Sequence, residues 1–183
     1  MFDLALNSRQ PLDGRICAHG AVAVTSVAPA SRLSLRARPD AVAALSKALG
    51  IELPTKPKTS AVKGTRTVFW LGPDEWLILD DAGKDLLAEC AKAKALHSAV
   101  DVSQRNTAIL VSGAHAEATI SAGCPQNLSD AAFPVGAVSR TLLGKSEVIV
   151  YRVKPQVFRV ECWRSFSDYV FTYLSDAARD SVG

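Results

Sequence analysis

Near the C-terminal end of the chain, Phe166, Tyr169, Val170, Tyr173, Leu174 and Ala177 recur at i, i+3, i+4, i+7, i+8 and i+11. That spacing lays an apolar stripe along one side of a helix. Ser165, followed three residues later by Asp168, predicts a capping box at its start. A helix this one-sided must dock, either on a sheet of its own chain or in a subunit interface. The segments before it supply the sheet. Val157 to Trp163 alternates, with Phe158, Val160 and Cys162 on one side, and two further strands are expected at Ala137–Leu143 and Glu147–Val153. Gly144 and Lys145 make the tight turn between those two.

The first half reads β-α-β-β-α. Leu33, Leu35 and Ala37 alternate with Arg32, Ser34, Arg36 and Arg38, the period of a strand with one wet face. Pro39 and Asp40 end that strand and cap a helix carrying Ala41, Ala44, Leu45, Ala48 and Leu49, which Gly50 stops. Residues 51–64 hold two prolines and three lysines without a pattern and are expected to be a loop. Strands follow at Arg66–Leu71 and Trp76–Leu79, joined by the turn Gly72-Pro73-Asp74. A helix is expected over Lys84–Leu96. In the second half, Ala99–Asp101 and Thr107–Val111 are strand candidates, a short helix runs between Gly113 and Gly123, and Cys124–Gly136 is a loop. The fold class is therefore α+β, a mostly antiparallel sheet with packed helices, in two outwardly similar βαβ halves. Residues 1–30 show no sustained period and are expected to form an extended arm, with a short strand at Ala21–Val24. Residues 31–183 make one compact domain, with halves at about 31–97 and 98–177.

Composition removes several function classes. The chain has 183 residues with 21 Lys plus Arg against 18 Asp plus Glu, a formal charge of +3. That excess makes no concentrated basic face for nucleic acid. Arg32, Arg36 and Arg38, with Lys56, Lys58, Lys63 and Arg66, lack interleaved aromatics for base stacking. Hydrophobic residues make up 48%, enough for a core and too many for a disordered chain. The four cysteines are widely spaced with no C-x-x-C pair, the usage of free thiols in a reducing compartment. The opening MFDLALNSRQPLDG has no signal-peptide core, and no run approaches the roughly 20 apolar residues that span a bilayer. A cytoplasmic protein is expected.

Self-sufficient chemistry is hard to find. There is no G-x-S-x-G, no Walker loop and no G-x-G-x-x-G. His19, His97 and His115 lie in separate segments. Cys17-x-His19 has no second ligand pair, and Cys124 before Pro125 is either a reactive thiol or a buried structural one. Asp74 and Glu75 could split their pKa values for acid/base work or serve the turn. Asp101 near Arg105 suits an ion pair at a strand junction or a recognition site. No catalytic, cofactor-binding or metal-binding residue is assigned. A subunit that organises an enzyme and a small-ligand binder both survive.

Several segments taken in order carry a sharper signal. Leu71-Gly72-Pro73-Asp74-Glu75-Trp76-Leu77, Asp101-Val102-Ser103 with Arg105, Ser112-Gly113, Gly123-Cys124-Pro125 with Leu128, Phe133-Pro134-Val135-Gly136 and Arg164-Ser165-Phe166 together resemble the gamma subunit of heterotetrameric sarcosine oxidase. The likeness covers roughly residues 30–177, and its fold is akin to that of folate-dependent aminomethyltransferase-like domains such as the glycine cleavage T-protein. It implies a cytoplasmic complex with alpha, beta and delta subunits that oxidatively demethylates sarcosine to glycine. The reaction consumes oxygen and yields hydrogen peroxide with formaldehyde, or methylenetetrahydrofolate when tetrahydrofolate is present. It also implies that FAD, FMN, NAD, zinc and tetrahydrofolate belong to the other subunits. This chain would bind no cofactor and would serve assembly, chiefly against alpha, with Trp76, Phe133 and the arm as its anchors. The alternative is a stand-alone folate-binding protein of the aminomethyltransferase-like group.

Overall fold

The computed structural model describes residues 11–181. Period-2 alternation dominates the chain and yields eleven strands among these residues: β1 Ile16–His19, β2 Val22–Ser26, β3 Ser31–Ala37, β4 Ser60–Lys63, β5 Arg66–Gly72, β6 Glu75–Asp80, β7 His97–Asp101, β8 Asn106–Gly113, β9 Val138–Leu143, β10 Ser146–Lys154 and β11 Val157–Trp163. The helices are α1 Val42–Leu49, α2 Leu86–Cys90, α3 Ala116–Ser121 and α4 Ser167–Asp180.

The strands form two sheets, not one, ordered β1-β2-β8-β11-β10-β9 and β4-β5-β6-β3-β7. Every strand pairing in them is antiparallel. The chain passes from the smaller sheet to the larger at residues 102–105, so β7 closes the smaller sheet instead of opening the larger one.

Each sheet buries both faces, and the three apolar clusters record the layering. Leu33, Leu35, Val68, Trp76 and Ile78 of the smaller sheet pack with Leu45 and Leu49 of α1 and Leu86 and Cys90 of α2. Val24, Ile109, Val150 and Val160 of the larger sheet pack with Ile120 of α3 and with Val170, Phe171 and Leu174 of α4. Between the sheets lie Phe69, Leu77 and Leu79 from one side and Val138, Ile149 and Tyr151 from the other. The order of layers is helices, sheet, sheet, helices.

Several expectations from the sequence need correction. The arm expected over residues 1–30 is, at residues 16–26, a hairpin whose second strand pairs with β8. Leu12 just before it is buried in the core of the larger sheet; residues 1–10 lie outside the described residues. The close approach of this hairpin explains Gly113, which has φ +117° and lies where a Cβ would strike the Ala21 carbonyl. Residues 51–64 are not all loop, because Ser60–Lys63 turns through Gly64 and pairs with β5 as an edge strand. α2 is one turn long rather than spanning Lys84–Leu96. Asp85 caps it by accepting a hydrogen bond from the Ala88 amide at 3.0 Å, and the chain must then leave the helix to reach β7 on the edge of the sheet.

The last helix is also displaced from its expected register. It starts at Ser167 after a short 3-10 turn at Arg164–Phe166, without a side-chain cap. Asp168 instead accepts a hydrogen bond from Arg15 at 2.5 Å. The buried face is Ser167, Val170, Phe171, Leu174, Ser175 and Ala178, the same spacing rotated to one flank of the expected stripe. Phe166 and Tyr169 are left exposed.

Candidate functional site

The buried charged clusters of the described residues are built as clamps. Arg32, expected on a wet face, is only 3% exposed, because that face of β3 meets the larger sheet. Its Nε donates to Glu161 Oε2 on β11 at 2.8 Å, and Arg159 Nε donates to the other oxygen of Glu161 at 2.8 Å. One carboxylate thus joins two guanidiniums across the interior. Arg66 on β5 donates to Asp80 on β6 at 2.8 and 3.0 Å and to Glu89 of α2 at 2.5 Å. Arg152 on β10 is buried, lies over the Phe158 ring, and holds the 124–136 loop through Asp130 and the Leu128 carbonyl.

The Asp74–Glu75 turn belongs to the same class. Arg36 donates to Asp74 at 3.3 Å and to Glu75 at 2.8 Å, and Arg140 of β9 reaches across the sheets to Glu75. Burial pushes the Glu75 carboxyl up, but the hydrogen bond and charge of Arg140 and the charge of Arg36 outweigh it. The carboxyl stays below its ordinary value of 4.5. A group held ionised in this way fastens the sheets and is a poor proton carrier near neutral pH. Asp101 accepts from the Ser103 amide at 2.8 Å, while Arg105 bonds the Asn106 side chain and lies 5.5 Å over the Trp163 ring. The expected ion pair at that junction is replaced by a turn and a cation–π contact.

The histidines are scattered. His19 Nε2 accepts from Arg179 at 3.2 Å, His97 Nδ1 lies 2.7 Å from the Ala95 carbonyl, and His115 Nδ1 lies 2.7 Å from the Ser181 carbonyl. Burial pushes the Cys90 thiol up to about 11 and the Cys162 thiol up to about 12, so both are protonated and unreactive near neutral pH. Cys124 is buried, with its Sγ 3.8 Å from Thr141 Oγ1. Among the described residues, no group of three His, Cys, Asp or Glu side chains is placed to hold a metal. No described helix is long and apolar enough to cross a membrane.

What the sequence pattern concealed is a ledge of exposed rings. Trp163 at the end of β11 is 43% exposed and Phe166 is 45% exposed, with ring centroids 6.3 Å apart. Tyr169 continues the row along α4, 6.0 Å from Tyr173. The two tyrosines lie over glycines: a Cβ at Gly144 would strike the Tyr169 hydroxyl, and one at Gly123 the Tyr173 ring. The anchors expected at Trp76 and Phe133 are not available, since they are 1% and 0% exposed. Trp76 donates its indole N–H to the Pro54 carbonyl at 2.7 Å inside the α1 layer.

Comparison with known proteins gives a consistent result. The model of the sarcosine oxidase, gamma subunit family matches residues 34–180. The sarcosine oxidase subunit gamma of Corynebacterium sp. (strain P-1) is 32% identical over 164 residues, covering 86% of this chain and 80% of that protein. The subunit of the same name from Arthrobacter sp. is also 32% identical over 164 residues, with the same coverage. A chain in the structure of heterotetrameric sarcosine oxidase from Corynebacterium sp. U-96, in complex with pyrrole 2-carboxylate, superposes with a TM-score of 0.86 and 26% identity, covering 96% of both chains. Aminomethyltransferase T of the glycine cleavage system from Bartonella henselae shares the fold, with a TM-score of 0.64 and 13% identity over 88% of this chain and 50% of that one.

Proposed function

This chain belongs to the sarcosine oxidase gamma subunit family, and from that premise we propose that it builds the frame of a heterotetrameric sarcosine oxidase without performing its chemistry. The observation that carries the proposal is the use of the chain's charged groups. Arg32 with Glu161 and Arg140 with Glu75 are spent on joining the two sheets, and Arg66 on joining the smaller sheet to α2 through Glu89. In this reading the alpha, beta and delta subunits hold FAD, FMN, NAD, zinc and tetrahydrofolate, and the complex is cytoplasmic. There it converts sarcosine to glycine with release of hydrogen peroxide.

The contact with the partner subunits, chiefly alpha, falls on the Trp163–Phe166 ledge. Exposed aromatics clustered beside an arginine are the residues that dominate association energy once buried, and Arg105 stands over Trp163. The hairpin at residues 16–26 and the two sheets act as a single body in this role. Purification through a tag on this chain, with native mass analysis and a visible spectrum, tests the reading. A yellow complex of four unlike chains that makes peroxide from sarcosine supports it. A colourless monomer or homodimer that binds tetrahydrofolate overturns it in favour of a stand-alone folate binder.

A further inference from the structure

The four edges of the two sheets are unequally protected. An open sheet edge offers unpaired N–H and C=O groups to any further strand, and folded chains blunt it with shortness, charge, proline or a covering segment. β1 and β4 have only four residues each. β9 carries Arg140 and gives its Val138 amide to the Lys58 carbonyl at 3.2 Å. β7, with the sequence HSAVD, has no Lys, Arg or Pro, and its pairing with β3 runs without a bulge.

Hydrogen bonds fix which backbone groups of β7 face outward. The Val102 amide, just past the strand, donates to the Arg32 carbonyl at 2.9 Å in the register that pairs Leu33 with Asp101. On the other side of β3 the Ala37 amide donates to the Asp74 carbonyl at 3.0 Å. Bonded pairs alternate along an antiparallel ladder, so even-numbered residues of β3 bond β7 and odd-numbered ones bond β6. Within β7, Ser98 and Val100 turn their backbone groups toward β3. His97, Ala99 and Asp101 turn theirs away from the sheet, and no amide or carbonyl of these three has a partner among the described residues.

The side chains define what this edge accepts. Ala99 packs toward the helices, while Leu96 just before the strand is 81% exposed and Val100 is 53% exposed. Those two lie on one face, four residues apart, beside the open row of backbone groups. Asp101 is exposed at the far end. From there residues 102–105 lead directly to Arg105, over the Trp163 ring, so the edge is continuous with the aromatic ledge.

We propose that β7 receives an extended segment of a partner subunit, which extends the five-stranded sheet by one strand. The added main chain bonds His97, Ala99 and Asp101. Its alternate side chains are apolar where they meet Leu96 and Val100, and a basic residue lies beside Asp101. The inference rests on the assembly proposed above, because it takes the occupant from another subunit.

The test is hydrogen exchange read at single amides, on the isolated chain and on the complex purified through it. The His97, Ala99 and Asp101 amides are expected to exchange at least about a hundredfold more slowly in the complex. Ala99→Pro removes one outward amide and sets a ring in the path of the added strand, without losing a bond to β3, a placement that proline tolerates at a sheet edge. It should keep the melting temperature of the isolated chain and lower recovery of the complex at least about tenfold. Equally fast exchange of the three amides in an intact complex would overturn the proposal and leave the assembly standing. So would unchanged recovery with a folded Ala99→Pro chain, or protection in the isolated chain that grows with its concentration, which would assign the edge to a second copy. Failure of the wild-type chain to recover any partner would overturn both the assembly and this inference. If Ala99→Pro does not fold, the exchange comparison on the wild-type chain decides the matter.

Discussion

Glu161 holds two buried arginines at once. It is 1% exposed, its partner Arg32 is 3% exposed, and its carboxylate is shared by Arg32 and Arg159. Glu161→Ala leaves Arg32 in the interior without an anion and Arg159 with only the 3.7 Å contact to Asp81, and a cost of about 3–5 kcal/mol is expected from breaking a buried pair. Replacing the set together, as Arg32→Met, Arg159→Met and Glu161→Leu, should recover most of that loss. Urea unfolding of the two proteins checks this, and equal destabilisation would show that the charges do more than balance one another. This network was not legible in the sequence. Alternation correctly placed Arg32 opposite Leu33 and Leu35, but a period of two tells only that residues face opposite ways. Whether the second face meets water or another sheet depends on a strand 129 residues away. Trp76 and Phe133 misled for the same reason, since aromatics beside loops were buried by the layers those loops connect.

Among elements, strands were read well where alternation was long, as in β3, β10 and β11. They were missed where it was short and the partner distant: β1 and β4 have four residues each and are edge strands. α4 shows how a correct period can carry a wrong phase. Its apolar residues cover more than one stripe, and the sheet took Val170, Phe171 and Leu174 while Phe166 and Tyr169 stayed outside. The surplus is the feature that matters for assembly. Replacing both Trp163 and Phe166 by Ser should leave the isolated chain folded, because surface changes away from packed groups cost little. The same double variant should co-purify with its partner subunits at least about tenfold less well, as loss of aromatic anchors of about 2 kcal/mol would produce. Unchanged recovery of the complex would move the contact elsewhere.

The whole molecule is two sheets fastened face to face, with ion pairs set around an apolar centre. This predicts a definite response to acid. Glu75 and Asp80 both have carboxyls held below their ordinary values of 4.5 and 3.8. For each, burial pushes upward and is outweighed, at Glu75 by Arg140 and Arg36 and at Asp80 by Arg66 and the Ala82 amide. A lowered folded-state pKa adds stability that is present above the unfolded value and disappears as pH falls through the folded one. The melting temperature should therefore hold from neutrality to about pH 5 and drop below about pH 4.5. Glu75→Gln should show a shallower drop, and an identical acid profile would exclude Glu75 from the clamp. Family membership adds the larger claim that this framework exists to complete an enzyme made by other chains. The most direct measurement is to produce the other subunits of the heterotetramer with and without this chain, comparing native mass and sarcosine-dependent peroxide formation. The account predicts that omission abolishes the intact complex or sharply lowers its thermal stability, and that adding the chain restores it. A three-chain enzyme of unchanged stability and activity would contradict it.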